Sequence, residues 1–217
     1  MQRSTCFALL VAATLSCLTG RATAQTIWEP PPDASDELRS EAASAARGSQ
    51  DIVSTLTVGT LSVALQETSL QDLQTQFGGT IGHRGDAGAA VSWLCLWRPG
   101  KRQMWVLWLE DSELGAGKVA RFQWRVESPT ATVDPRCQVL PAGAAVGVAL
   151  RIRPGQMRAQ VRAHLGPPSF DGGDTWLYLR ARQIGSRSTP FDVTNGVVIG
   201  FRNDRVDSID AWKTTTG

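Results

Sequence analysis

The chain is short of the residue types from which catalytic and metal sites are usually assembled. Among 217 residues there are two histidines, His83 and His164, and four cysteines. No CxxC or HxxxH spacing occurs, so a zinc site would lack ligands. No GxSxG is present, and two histidines give a serine or cysteine hydrolase little choice of base. The glycine-rich stretch GGTIGHRGDAG lacks the lysine pattern of a phosphate-binding loop. Net charge is also missing. Met1 to Ala24 carries two arginines and no acid, which leaves 20 basic against 20 acidic residues in the remainder. That balance removes any global electrostatic case for nucleic acid.

What is there begins with a leader. Met1–Ala24 has a positive start at Arg3, an apolar run from Phe7 through Leu18 and small residues at Ala22 and Ala24, the pattern of a secretory signal peptide cut before Gln25. The run is too short, and too broken by Thr14, Ser16 and Thr19, for a membrane span, and none is expected after cleavage. Cys17 would be the point of lipidation, although Thr14-Leu15-Ser16 matches the usual pattern poorly. Cys95 and Cys137 alone survive cleavage, and in an oxidising compartment they are expected to pair. Closing that loop would contribute about 4 kcal/mol in the chain-entropy account. Residues 25–50, with Pro30-Pro31-Pro32 and an Ala/Ser/Glu/Arg-rich stretch, read as a flexible lead-in. Charge in the rest is uneven, with thirteen basic and seven acidic residues between Arg98 and Arg182.

Two stretches share an order of elements, which divides the remainder into a first repeat over 51–137 and a second over 138–217. The second opens with Arg153-Pro154-Gly155-Gln156-Met157. Met157, Val161 and Leu165 then mark one helix face, with Arg158 and Arg162 elsewhere, and Gly166-Pro167-Pro168 stops the helix. Strands are expected at WLYLR (Trp176–Arg180), VVIGF (Val197–Phe201) and RVDSIDAW (Arg205–Trp212). The first copy is degenerate. Ser69, able to cap with Asp72 three residues on, starts a short helix ending at Gly78-Gly79, and WLCLW, WVLWL and KVARFQW follow. Counterparts lie about 83 to 92 residues apart. Each copy reads as a short helix packed on an antiparallel sheet, an α+β class.

Strand alternation assigns faces. Leu177 and Leu179 are expected with Ile209 and Ala211, which puts Trp176, Tyr178, Arg180, Asp210 and Trp212 on the opposite side. With Leu94 and Leu96 in the core, Trp93 and Trp97 fall beside Arg121 and Arg125. A face of Trp93, Trp97, Arg121, Arg125, Trp176, Tyr178, Arg180 and Trp212 has the composition of a protein-binding hot spot. Buried core tryptophans are the competing reading.

Gly155, the run Arg158-Ala159-Gln160-Val161, Leu165-Gly166-Pro167, the strand at Trp176–Leu179 and the ending Val198–Trp212 resemble the repeat shared by the β-lactamase-inhibitor proteins and the BamE (SmpA/OmlA) lipoproteins of outer-membrane assembly. The likeness covers about sixty residues of the second copy, and the first copy only faintly. It implies tandem BLIP/BamE-like repeats and a role in binding rather than catalysis. The inhibitors insert an acidic hairpin loop into their enzyme, whereas the matching loop here, Arg98-Pro99-Gly100-Lys101-Arg102, is basic.

The remaining motifs are weak. Arg84-Gly85-Asp86 is an adhesion tripeptide that arises easily by chance, and Asp171-Gly172-Gly173-Asp174 and Asn203-Asp204 lack EF-hand spacing and read as turns. No carboxylate pair is singled out for glycoside chemistry. The expected function is therefore non-enzymatic binding of a protein of the cell envelope by a periplasmic or secreted module, with inhibition of an envelope enzyme as one form. An envelope assembly or scaffold component is the alternative, and a hydrolase using His83 or His164 ranks below both. No catalytic residue, metal or cofactor is expected.

Overall fold

A computed structural model describes residues 26–32, 38, 46–47, 50–86, 90–112, 116–141, 143–148, 151–186 and 188–217. The leader, with Cys17, lies outside them. Strands dominate. After β1 (Ala46–Arg47), β2 (Thr55–Val58) and β3 (Leu61–Ala64) comes helix α1 (Leu70–Phe77). Four strands follow: β4 (Ile81–Arg84), β5 (Val91–Arg98), β6 (Met104–Asp111) and β7 (Val119–Glu127). The short strands β8 (Gln138–Val139) and β9 (Val146–Val148) lead to helix α2 (Arg158–Leu165). Four more close the chain: β10 (Phe170–Asp171), β11 (Thr175–Ser186), β12 (Thr189–Arg202) and β13 (Arg205–Thr216).

The α+β repeat expected from the sequence is corrected by this layout. The chain is 51% strand and 10% helical, and its organising element is one large antiparallel sheet, not a helix-on-sheet unit used twice. The ten-stranded sheet runs β1-β11-β12-β13-β7-β6-β5-β4, with β10 beside β11 and β8 beside β5. Its two halves are continuous because β13 pairs with β7, from Ser208 opposite Arg125 to Trp212 opposite Arg121. Eight-residue helices are too short to be stable on their own and here serve as cover. The Ser69 hydroxyl accepts from the Asp72 N–H at α1, and at α2 the Gln160 side chain accepts from the Met157 N–H. Met157, expected on the buried face of α2, is exposed, while Val161 is buried.

The inner face of the sheet holds the main core. Leu94, Leu96, Leu107, Leu109, Phe122, Trp124, Trp176, Tyr178, Val197, Ile199 and Ile209 pack there against the helices. Leu56, Val63 and Val148 join them from the small sheet β3-β2-β9. A buried asparagine fastens one end. Asn195 accepts from the Ile52 and Val53 N–H groups at 2.7 and 2.9 Å, and donates to the Val53 and Trp212 carbonyls, each at 2.8 Å. Beside it Asp51 pairs with Arg182 and Lys213 at 3.1 and 3.0 Å.

Candidate functional site

Register divides the predicted binding set between two faces. Trp93, Trp97, Arg121, Arg125 and Trp212 share the outer face, because Trp93 opposes Glu110, Glu110 opposes Arg121, and Arg121 opposes Trp212. Trp176, Tyr178 and Arg180 lie on the inner face with Ile199, Val197 and Asn195. Ile209 and Ala211 also belong inside, whereas Leu177 and Leu179 face outward with Asp210 and Trp212. The assignment on β11 is therefore inverted relative to the sequence reading.

Trp176, 2% exposed, and Tyr178, 5% exposed, are core residues beneath α2. Arg158 and Arg162, expected to point away from the sheet, stack over the Trp176 ring at 5.4 and 5.9 Å. The Tyr178 hydroxyl donates to the Gly166 carbonyl at 3.1 Å, and burial pushes the phenol up to about 12. Arg180 alone of the three is exposed.

The outer set is also largely covered. Trp93 is 1% and Trp212 3% exposed, and Trp97, Arg121 and Arg125 are half-buried. Two of these tryptophans lie flat against glycines on neighbouring strands. A β-carbon on Gly82 would meet the Trp93 ring at 2.3 Å, and one on Gly196 the Trp212 ring at 2.0 Å.

Much of the cover is the chain's own lead-in, which the sequence reading leaves as a flexible linker. Trp28 packs edge-on against Trp93 with ring centres 5.5 Å apart. Successive carbonyls of this strap are taken by sheet side chains: Trp28 by Trp108 Nε1 at 3.1 Å, Pro30 by Arg84 at 3.3 Å, and Pro31 by Gln123 at 2.9 Å. Further along, Leu38 packs on Leu177, Leu179, Val198 and Trp212, and β1 pairs in parallel with β11 at Arg180 and Ala181. The expected disulfide between Cys95 and Cys137 forms beneath the strap. It ties to β5 the loop that receives Ile27, whose N–H donates to the Thr132 carbonyl and whose carbonyl accepts from Asp134 N–H, at 2.8 and 2.9 Å.

Under the prolines lies a polar cluster. Arg121 grips the Asp210 carboxylate through Nε at 2.8 Å and Nη2, and stands 3.9 Å from Glu110. Gln123 bridges Glu110, at 2.9 Å, to the strap. Burial pushes the Glu110 carboxyl up to about 7, against the pull of Arg121 and Gln123. Burial likewise lowers the Arg125 guanidinium from its usual range.

Trp97, Val106 and Arg125 form one row across β5, β6 and β7, in which Val106 is fully buried and the two ends are half-buried. Beside Arg125 a cleft of about 760 Å³ opens between the strap and the sheet, lined by Trp28, the three prolines, Arg84, Arg125 and Arg136 together with Glu29, Glu127 and Asp134. Arg136 lies over the Trp28 ring at 4.2 Å, and its hydrogen bonds hold the half-buried Asp134 carboxyl down to about 2. Trp97 lines a smaller neighbouring hollow with Pro99, Met104 and Pro129.

The weaker sequence motifs fall as follows. His83 Nδ1 stands 3.3 Å from the Ser92 hydroxyl, but as an exposed cross-strand pair. Asp111, the acid beside them, accepts from the Ser92 main-chain N–H at 2.6 Å, a bond to backbone and not the base-orienting contact of a triad. His164 is exposed on α2. Asp171–Asp174 and Asn203-Asp204 form turns, and Asp174 and Asp204 pair with Arg158. Arg84, of the RGD tripeptide, bonds the strap. Among the described residues no cluster of three His, Cys, Asp or Glu side chains could hold a metal ion, and no helix is long and apolar enough to cross a membrane. Comparisons with family models, curated proteins and solved structures find no match, so the chain's own geometry carries the assignment.

Proposed function

We infer that this chain is a non-enzymatic protein-binding module of the periplasm or extracellular space, and that it engages a cell-envelope protein through the cleft at Arg125 and the neighbouring hollow at Trp97. The observation that carries this reading is the way the strap is held. Trp28 packs edge-on against Trp93, and the carbonyls of Trp28, Pro30 and Pro31 are taken by Trp108, Arg84 and Gln123. Such donors recognise an extended, proline-containing segment by its backbone, and aromatic-lined grooves take segments of that kind. The open cleft continues the same surface, with Arg125 and Arg136 in its wall. A partner's extended segment fits beside the strap. The disulfide under the strap supports an oxidising compartment.

The test is affinity capture from native envelope extract with the wild-type chain and with Trp97→Ala, Arg125→Ala and Arg180→Ala, followed by titration of the purified partner. The expected result is one partner retained by R180A, which alters the inner face, and weakened about tenfold or more by W97A and R125A, as for hot-spot truncations. Retention by W97A and R125A with loss in R180A would move the site to the inner side.

A further inference from the structure

A second cleft, independent of the outer face, opens between β9, the segment entering α2 and the turn joining β12 to β13. It measures about 810 Å³, and among the described residues its charged lining has one sign: Arg151, Arg153 and Arg205, with His164 beside them and no carboxylate. Gln156 and Gln160 add neutral polar groups. Asp204, adjacent to Arg205, is held by Arg158 at 3.1 Å.

The backbone sets this cluster in place before any ligand arrives. Ile152 is buried in the main core, so Arg151 and Arg153 on either side of it are both left exposed. Arg151 adopts a left-handed φ of 56°, a region that disfavours residues with a β-carbon, and its N–H donates to the Val148 carbonyl at 3.0 Å. Arg205 Nη1 donates to the Gly155 carbonyl at 2.9 Å. Gly155 N–H donates in turn to the Val206 carbonyl at 2.7 Å, and Val206 N–H to the Gln156 carbonyl at 2.8 Å. The arginines therefore sit on backbone segments bonded to one another. Like charges gathered without a counter-charge repel, and an entering anion relieves that repulsion.

We propose that this cleft binds phosphate groups, at least two at a time, through the guanidinium groups of Arg151, Arg153 and Arg205. Planar guanidinium forks pair with phosphate oxygens in two-point fashion, and several forks carried by one bonded backbone frame in an open cleft suit a multivalent phosphate better than a single one. A free oligophosphate and a phospholipid headgroup surface present the same chemistry, and the test separates them. Full-length chain is titrated calorimetrically with tripolyphosphate, and in parallel floated with phosphatidylglycerol vesicles against phosphatidylcholine vesicles.

Arg151→Gly combined with Arg153→Gln should weaken binding at least about tenfold, the loss expected for removing charge-assisted contacts. Its melting temperature should hold or rise, since glycine suits the left-handed position. Lys101→Gln with Arg102→Gln removes the same charge from the exposed β5–β6 turn and should stay within about twofold of wild type, since neither residue lines the cleft. R153Q alone provides a second variant if R151G disturbs the turn. Binding to tripolyphosphate assigns a free phosphate ligand, and binding to the anionic vesicles alone assigns a headgroup. Absence of binding to both probes, undiminished binding by the arginine variants, or equal loss in the control overturns the proposal.

Discussion

Glu110 tests whether the outer face is a covered surface. Its carboxyl is 3% exposed, accepts from Gln123 at 2.9 Å and stands 3.9 Å from Arg121, and burial lifts it from 4.5 to about 7. In the unfolded chain the ordinary value returns. Between those two values the native chain keeps a proton that the unfolded chain has lost, so stability is greatest below about pH 4.5 and falls as pH rises through about 7. At about 1.4 kcal/mol per pH unit, the complete loss is about 3 kcal/mol. Glu110→Gln keeps the shape and the acceptor for Gln123 but cannot ionise. Urea unfolding should find E110Q more stable than wild type by about 3 kcal/mol near pH 8, with the two chains converging near pH 4.

The same experiment reads the strap. Pro31 shares the Gln123 amide with Glu110. Removing residues 26–32 would admit water to the carboxyl and shrink the pH-dependent gap between E110Q and its parent. A gap of constant size from pH 4 to 8, or a wild type that gains stability over E110Q as pH rises, would refute the reasoning.

Gly196→Ala should destabilise by about 1–3 kcal/mol, because the new methyl group meets the Trp212 ring, and combining it with Trp212→Leu should recover part of the loss in a double-mutant cycle followed by denaturation. Asn195→Ala should cost about 3 kcal/mol or more, since it strands the Ile52 and Val53 N–H groups and two carbonyls, and amide exchange at Ile52 and Val53 should accelerate. Reducing the Cys95–Cys137 bond should remove up to about 4 kcal/mol, and exchange should rise first at the Ile27 and Asp134 amides that join strap to loop.

Several parts of the structure were legible in the sequence because they depend on local chemistry. Ser69 and Gly78 bracket α1, Gly166 ends α2, and the strands fall on WLCLW, WVLWL and WLYLR. Placement of Trp93 and Trp97 on one face with Arg121 and Arg125 also follows from alternation, and the disulfide joins the two cysteines that lie outside Met1–Ala24. The fold class does not follow from such signals. Short helix motifs at similar spacing suggest a helix-led repeat, but pairing of β13 with β7 is a long-range event that makes the sheet the organising unit.

Alternation fails on β11 for a physical reason. A strand with one wet face separates polar from apolar residues, whereas a strand buried on both sides presents apolar residues at every position. Trp176-Leu177-Tyr178-Leu179 is such a strand, because α2 covers one side while Leu38 and Phe170 pack on the other. Grouping Leu177 and Leu179 with Ile209 and Ala211 by hydrophobicity then inverts the register. Two residues carried the correct answer: Gly196, whose missing side chain makes room for Trp212, and Asp210, whose charge belongs with Arg121. The strap had a signal too, since Trp28 is a large apolar side chain in a segment otherwise composed like a linker, and burying it requires a surface to receive it. Once the strap is in place, most of the aromatic face is spoken for within the molecule. On that face Trp97 and Arg125 stay half-buried, beside the rim of the cleft between strap and sheet.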